Sequence, residues 1–229
     1  MSAIFVAGTD TNVGKTHICG LLLDFFCKKE IKAGYQKWVA TGPEFPPADL
    51  AACLRMAQLP LLPELVGSQV VYHFPLPASP HLAAERAGTV IDPALIRTRY
   101  QEGLASHELL IVEGVGGLLV PLGRKLLLVD LLRQLKIPTL LVARSGLGTI
   151  NHTLLSLEAM RHRDIPVLGV VFSDAEPEKD GVLVEDNMRT IAEMGQVLVF
   201  GRLQRCPDPA DACADFAPIG LAIAQALGR

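Results

Sequence analysis

The chain has 229 residues, carries 21 basic against 24 acidic side chains for a net charge of −3, and is half apolar. That length sets one large domain or two small ones, with apolar residues enough for an extensive core. The near-balanced charge, without any Lys/Arg cluster, argues against a nucleic-acid surface. No apolar run reaches membrane-spanning length, since Leu126 to Leu132 is interrupted by Asp130. Met1-Ser2-Ala3 enters the first strand directly, so no secretory leader is expected. Cys19, Cys27, Cys53, Cys206 and Cys213 form no CxxC pair. They are expected as free thiols in a reducing cytoplasm.

The first predicted strand is Ile4-Phe5-Val6-Ala7, and after it comes GTDTNVGKTH from Gly8 to His17. Ile18, Leu21, Leu22 and Phe25 then recur at helical spacing. A strand, a tight loop ending in Gly14-Lys15-Thr16, and a helix make a phosphate-binding loop. Backbone N–H groups and the positive end of the helix dipole surround phosphate oxygens there. Gly14 lets the backbone approach, Lys15 reaches the outer phosphates, and the Thr16 hydroxyl can ligate Mg²⁺. The spacing is one residue longer than usual, with five residues between Gly8 and Gly14. An ordinary strand-to-helix turn is the competing reading.

Helix one is predicted from Lys15 to about Lys29, and a second strand from Ile31 to Val39. Lys37 and Thr41 then fall at a strand's C-terminal end and in the Gly-containing loop after it, the edge where parallel sheets bind ligands. After the Pro-rich break at 43–47, Asp49 opens a helix to Gln58, as an N-cap or as an Mg²⁺ ligand. Residues 59–91 show no long period; an extended piece at Tyr72–Pro77 and a short helix at Leu82–Ala87 are expected, with His81 satisfied locally. Asp92-Pro93 starts a helix to Ala105.

The apolar strand Leu109–Val112 leads to Glu113-Gly114-Val115-Gly116-Gly117. A carboxylate there faces a metal, or caps the loop. A helix at Leu126–Lys136 and a strand at Thr139–Val142 follow. The loop from Arg144 to His152 then opens a helix to His162, as a second anion site or a plain connector. Val167–Phe172 is a strand tipped by Ser173-Asp174, Asn187–Met194 a helix, Val197–Phe200 the last strand, Gly201–Asp215 a loop and Ala217–Leu227 the closing helix. Strands alternating with helices predict an α/β fold of P-loop NTPase type. Its single, doubly wound, mostly parallel sheet has six or seven strands in one domain, 1–229.

Together these segments resemble dethiobiotin synthetase, the ATP-dependent enzyme family of biotin synthesis. The resemblance rests on GTDTNVGKT, on KWVATG at Lys37–Gly42, on Asp49, on ASPHLAA at Ala78–Ala84, on VEGVGG at Val112–Gly117 and on GLGTINH at Gly146–His152, in that order. It implies 7,8-diaminopelargonic acid, CO₂ or bicarbonate, and ATP as substrates, with Mg²⁺. It further implies Lys37, Lys15 and Thr11 as catalytic residues, and Thr16, Asp49 and Glu113 as metal ligands. Asn12, Val13, Gly14, Lys15, Thr16, His17, Glu113, Gly116 and Ser173 would bind the nucleotide. Thr11, Lys37 and Thr41 would bind the substrate, with Gly148, Thr149, Ile150 and Asn151 reaching its carboxylate across a homodimer.

The chain departs from the family pattern in four places: Asn12 stands where Glu is frequent, and Ser173 where Asn meets the base. Gly201-Arg202-Leu203-Gln204 replaces Gly-x-x-Pro, and Asn187 stands in place of a tyrosine near the substrate. A nucleotide-switched binding module without ligase activity is the alternative expectation.

Overall fold

The chain alternates β1 (Ser2–Gly8), α1 (Lys15–Lys28), β2 (Ala33–Thr41) and α2 (Ala48–Met56), then passes a 3₁₀ turn (Pro63–Leu65) and the short α3 (Val66–Gln69) into β3 (Val70–Phe74). Next come α4 (Pro80–Arg86), α5 (Pro93–Ser106), β4 (Leu109–Gly117), β5 (Pro121–Gly123), β6 (Leu126–Leu127) and α6 (Leu128–Leu135). β7 (Thr139–Ala143), α7 (Thr149–Arg161), β8 (Val167–Ser173), α8 (Gly181–Gly195), β9 (Val199–Leu203) and α9 (Pro209–Ala226) complete it. The computed structural model describes residues 2–174, 181–204, 206 and 209–229.

Seven strands form one sheet in the order β3-β2-β4-β1-β7-β8-β9, every described pair parallel. β5 and β6 make a separate antiparallel pair. The apolar runs read without alternation because both faces of the sheet are covered. On β1, Ile4 and Val6 enter one core with Ile18, Leu22 and Phe26 of α1, while Phe5 and Ala7 enter the opposite one with Leu128 and Val129 of α6. Parallel strands bring all their C-terminal ends to one rim. β1 lies between β4 and β7, so the connections diverge there and leave a crevice on that rim.

Several boundaries differ from the sequence expectation, each for a tertiary reason. β2 runs to Thr41 because Thr41 pairs with Phe74 of β3. β4 likewise continues past Glu113, since Gly117 still pairs with Gly8. Lys37 and Glu113 are therefore inside strands and directly opposite one another in register. Pro47, not Asp49, holds the N-cap position of α2, which leaves Asp49 in the first turn. Asp92 is the expected cap of α5, its carboxylate accepting the Ala94 N–H at 2.8 Å.

The loop expected over Gly201–Asp215 is mostly absent: β9 extends to Leu203, paired with Ser173, and α9 begins at Pro209. Residues 205, 207 and 208 of that stretch lie outside the described residues. α9 passes through Pro218, where burial of Phe216, Ile219 and Ile223 outweighs one missing helix bond. α8 starts at Gly181, well before Asn187. His81, expected to be satisfied locally, has no hydrogen-bond partner at its buried Nδ1 among the described residues.

Candidate active site at the sheet rim

The phosphate loop is shaped by backbone constraints. Gly14 is the N-cap of α1 with φ 93, a left-handed conformation that favours glycine, and an added Cβ would lie 2.9 Å from the Ser173 Cβ. A Cβ on Gly8 would collide at 2.8 Å with both the Asp10 carbonyl and Lys15 Nζ, so the loop can fold over that position only without a side chain. Asn12 adopts φ 57, which asparagine tolerates better than most residues. Lys15 Nζ donates to the Asp10 carbonyl at 2.8 Å, within its own loop. Its ammonium is lowered to about 8, first by burial and then by the Lys37 charge. Burial also lowers His17.

Beside the loop lies a buried ionic cluster. Lys37, 3% exposed, places Nζ 2.5 Å from Glu113 Oε1 and 2.6 Å from Asp49 Oδ2. The Thr16 hydroxyl lies 2.8 Å from Glu113 Oε1 and 3.1 Å from Asp49 Oδ1, and its one proton serves one of them at a time. Tyr35 donates to the second Glu113 oxygen, Oε2, at 2.6 Å. Burial alone would lower the Lys37 ammonium, but Glu113 and then Asp49 outweigh it and hold it above its ordinary range. For Asp49 burial pushes the carboxyl up, and the Lys37 charge more than offsets this, leaving it below the usual value. Burial, then Glu113, raises the Tyr35 phenol well above its normal value, so it stays a neutral donor.

These groups open onto a cavity of about 720 Å³. Thr11, Asn12, Gly14, Lys15, Thr16, His17, Lys37, Thr41, Asp49, Glu113, Gly116 and Ser173 all line it, so most of the sequence-predicted site converges on one space. Its size is within the range of small-molecule sites. Val13 does not line it; its side chain is fully buried in the core, leaving its backbone as the part that could meet a phosphate. Nor do Gly148, Thr149, Ile150 and Asn151. Gly148 (φ 88) is the N-cap of α7, and the Thr149 hydroxyl is buried 3.3 Å from that of Thr153.

Sequence reasoning missed a second polar cluster further along the rim. Asp174 Oδ1 accepts from the Ser145 hydroxyl at 2.5 Å and from its backbone N–H at 3.2 Å, and Oδ2 accepts from Arg202 Nε at 2.7 Å. Asn187, with the side chain buried, donates to the Ser145 carbonyl at 2.9 Å. Ser145 is thus held from both sides, which fixes the loop entering α7. No local motif announces these bonds, because the partners lie 28 to 42 residues apart. The available signals were Asp174, a carboxylate at a predicted strand tip, and Arg202 and Asn187 as departures from the family pattern.

No group of three or more His, Cys, Asp and Glu side chains suited to a metal occurs among the described residues. The donor set at Thr16, Asp49 and Glu113 nonetheless fits Mg²⁺. Two carboxylates and a hydroxyl converge, and a cation, the Lys37 ammonium, already sits between the carboxylates. Mg²⁺ takes few protein oxygens and completes its shell with phosphate and water.

A parallel sheet whose central strand delivers a glycine-lined phosphate loop, with an acidic pair beside it, defines a P-loop nucleotide-binding protein. The MinC:MinD complex of Aquifex aeolicus shares this fold with TM-score 0.62 and 12% identity, covering 100% of this chain and 97% of that one. Residues 2–211 match the family described as an AAA domain. The ATP-dependent dethiobiotin synthetase BioD of Agrobacterium fabrum is 42% identical over 212 residues, 91% of this chain and 89% of that protein. The protein of the same description from Rhizorhabdus wittichii is 43% identical over 216 residues, 92% and 90% of the two chains. The chain belongs to the dethiobiotin synthetase family of ATP-dependent ligases.

Proposed function

We propose that the chain closes the ureido ring of dethiobiotin from 7,8-diaminopelargonic acid, CO₂ and ATP, with Mg²⁺. One amine adds to CO₂ and loses a proton, giving a carbamate. A carbamate oxygen accepts the γ-phosphoryl group of ATP, releasing ADP. The second amine then attacks the carbonyl carbon, and phosphate leaves as the ring closes. The charge that develops lies on phosphoryl and carbamate oxygens, so positioned cations and donors are the principal catalytic need.

Lys15 meets that need by exchanging the Asp10 carbonyl for phosphate oxygens at the end of its reach. Lys37 turns its ammonium toward the carbamate and transferring phosphoryl group. The Thr11 and Thr41 hydroxyls orient the amines and carbamate from two sides of the cavity. The Gly14 backbone and Thr16 cradle the phosphates, His17 and Asn12 flank them, Gly116 closes against Thr11, and Ser173 faces the base. Bound at Thr16, Asp49 and Glu113, Mg²⁺ would supply charge neutralisation for the polyphosphate.

The carrying observation is that Lys37 Nζ, with carboxylates at 2.5 and 2.6 Å, opens onto the same cavity as the phosphate loop. We further propose a cytoplasmic homodimer in which the first turn of α7, Gly148–Asn151, binds the substrate carboxylate in its partner's cavity. Leu147, 92% exposed beside that turn, supports a covered surface. The test is to mix purified protein with the diamine, bicarbonate and MgATP and detect the ureido product by mass spectrometry. Product above a no-enzyme control is expected. ATP hydrolysis independent of diamine, with no product, would point instead to a nucleotide-switched module.

A further inference from the structure

We infer that Tyr35 is a positioning residue for the metal site: its hydroxyl holds one oxygen of Glu113 so that the other oxygen faces the cavity. The inference rests on reading Thr16, Asp49 and Glu113 as the metal-binding set.

Tyr35 lies two residues before Lys37 on β2, so both side chains project to the same face of the sheet. Across the ladder Tyr35 is opposite Ile111, and Lys37 opposite Glu113, which brings phenol, ammonium and carboxylate together on adjacent strands. The two oxygens of Glu113 have different surroundings. Oε1 meets Thr16 and Lys37 at 2.8 and 2.5 Å, on the cavity side. Oε2 points inward, and among the described residues its one hydrogen bond comes from Tyr35 at 2.6 Å.

The phenol is 3% exposed, Glu113 is 1% exposed, and the buried thiols of Cys19 and Cys53 pack in the same core. Without the hydroxyl, Oε2 would be a buried charged acceptor lacking a donor. The terminal carboxylate torsion, broad by nature, would no longer be fixed by a bond on its inner side. A purely space-filling role would need only the ring, and phenylalanine would serve as well.

The experiment is Mn²⁺ titration, followed by electron paramagnetic resonance, of the full chain saturated with a non-hydrolysable ATP analogue. Tyr35→Phe should weaken Mn²⁺ binding about 10-fold or more, the usual consequence of removing a partner behind a metal ligand. Turnover should recover at high Mg²⁺, with KM for the diamine unchanged. In a Glu113→Gln background Tyr35→Phe should add no further loss of metal affinity.

A folded Tyr35→Phe variant with wild-type Mn²⁺ affinity would overturn the inference. If that variant does not fold, 3-fluorotyrosine placed at position 35 keeps the ring and changes the hydroxyl's acidity. Mn²⁺ affinity should then shift, and an unchanged value overturns the inference as well. Absence of Mn²⁺ binding to the wild-type nucleotide complex would instead remove the metal reading on which it stands.

Discussion

Two buried carboxylates, Glu113 and Asp174, line the same cavity at the rim and are held by different kinds of partner. Glu113 on β4 shares one oxygen with an ammonium and a hydroxyl, both of which line the cavity. Asp174, just past β8, accepts from a backbone N–H, a hydroxyl and a guanidinium that tie the loop entering α7 to β9. The partners of Glu113 Oε1 open onto the cavity and can be exchanged for ligand atoms without unravelling the fold, whereas Tyr35 behind Oε2 is buried. Those of Asp174 are the fold, because they fix Ser145 at the entrance to α7. Burial alone does not separate the two; whether their partners open onto the cavity does.

The strongest way to break this contrast is Lys37→Ala. It should lower turnover about 100- to 1,000-fold while nucleotide affinity, by calorimetry, changes far less. Equal losses in both would make Lys37 a nucleotide anchor rather than a catalytic cation. Next comes Asp174→Ala, which leaves donors on Ser145 without their acceptor. We expect a loss of about 3 kcal/mol, a fall in Tm of about 6–12 °C for a chain of this size, read by thermal unfolding. A fall of that size from Thr16→Ala, on the exchangeable side, would erase the distinction. Asn187→Ala should be milder. Losing one neutral hydrogen bond, of about 1 kcal/mol, frees the Ser145 loop and should raise KM for the diamine about 5-fold with kcat little changed.

The smallest effect is a protonation. Lys15 titrates at about 8 when folded against 10.5 in the unfolded chain. Between those values the unfolded state holds the extra proton, so this group's contribution to stability rises as pH climbs through that window and is least favourable below it. Phosphate at Lys15 restores the ammonium. Calorimetry in buffers of different ionisation enthalpy, at about pH 8.5, should therefore detect a fraction of a proton taken up with nucleotide. Lys15→Met should abolish both the uptake and the stability slope.

The legibility of this molecule in its sequence divides along the same line. Lys15, Lys37 and Glu113 could be proposed from short segments, because each stands near a glycine-containing turn at the end of an apolar run, and Asp49 because it opens a helix after a Pro-rich break. Their convergence on one cavity then follows from a parallel sheet. Tyr35 was hidden because a tyrosine inside an apolar strand reads as core, and its partner is 78 residues away. Asn187 and Arg202 stood out only as departures from the family pattern, and their bonds to Ser145 and Asp174 span 42 and 28 residues, beyond any local pattern. The β5–β6 hairpin is too short for any period to declare it. The closing helix was expected from Ala217, whereas α9 begins at Pro209 and runs through Pro218, packed against α1 with the Phe25 and Phe216 rings 6.5 Å apart.

The placement of the Lys37 ammonium between Asp49 and Glu113 bears on how ligands arrive. The cavity is lined by Lys15, Lys37, Asp49, Glu113 and Asp174, and with Arg202 paired to Asp174 three positive and three negative side chains cancel in formal charge there. A polyanionic nucleotide therefore meets no net repulsive field there, and neither does a doubly protonated diamine. The resting protein is its own counterion reservoir.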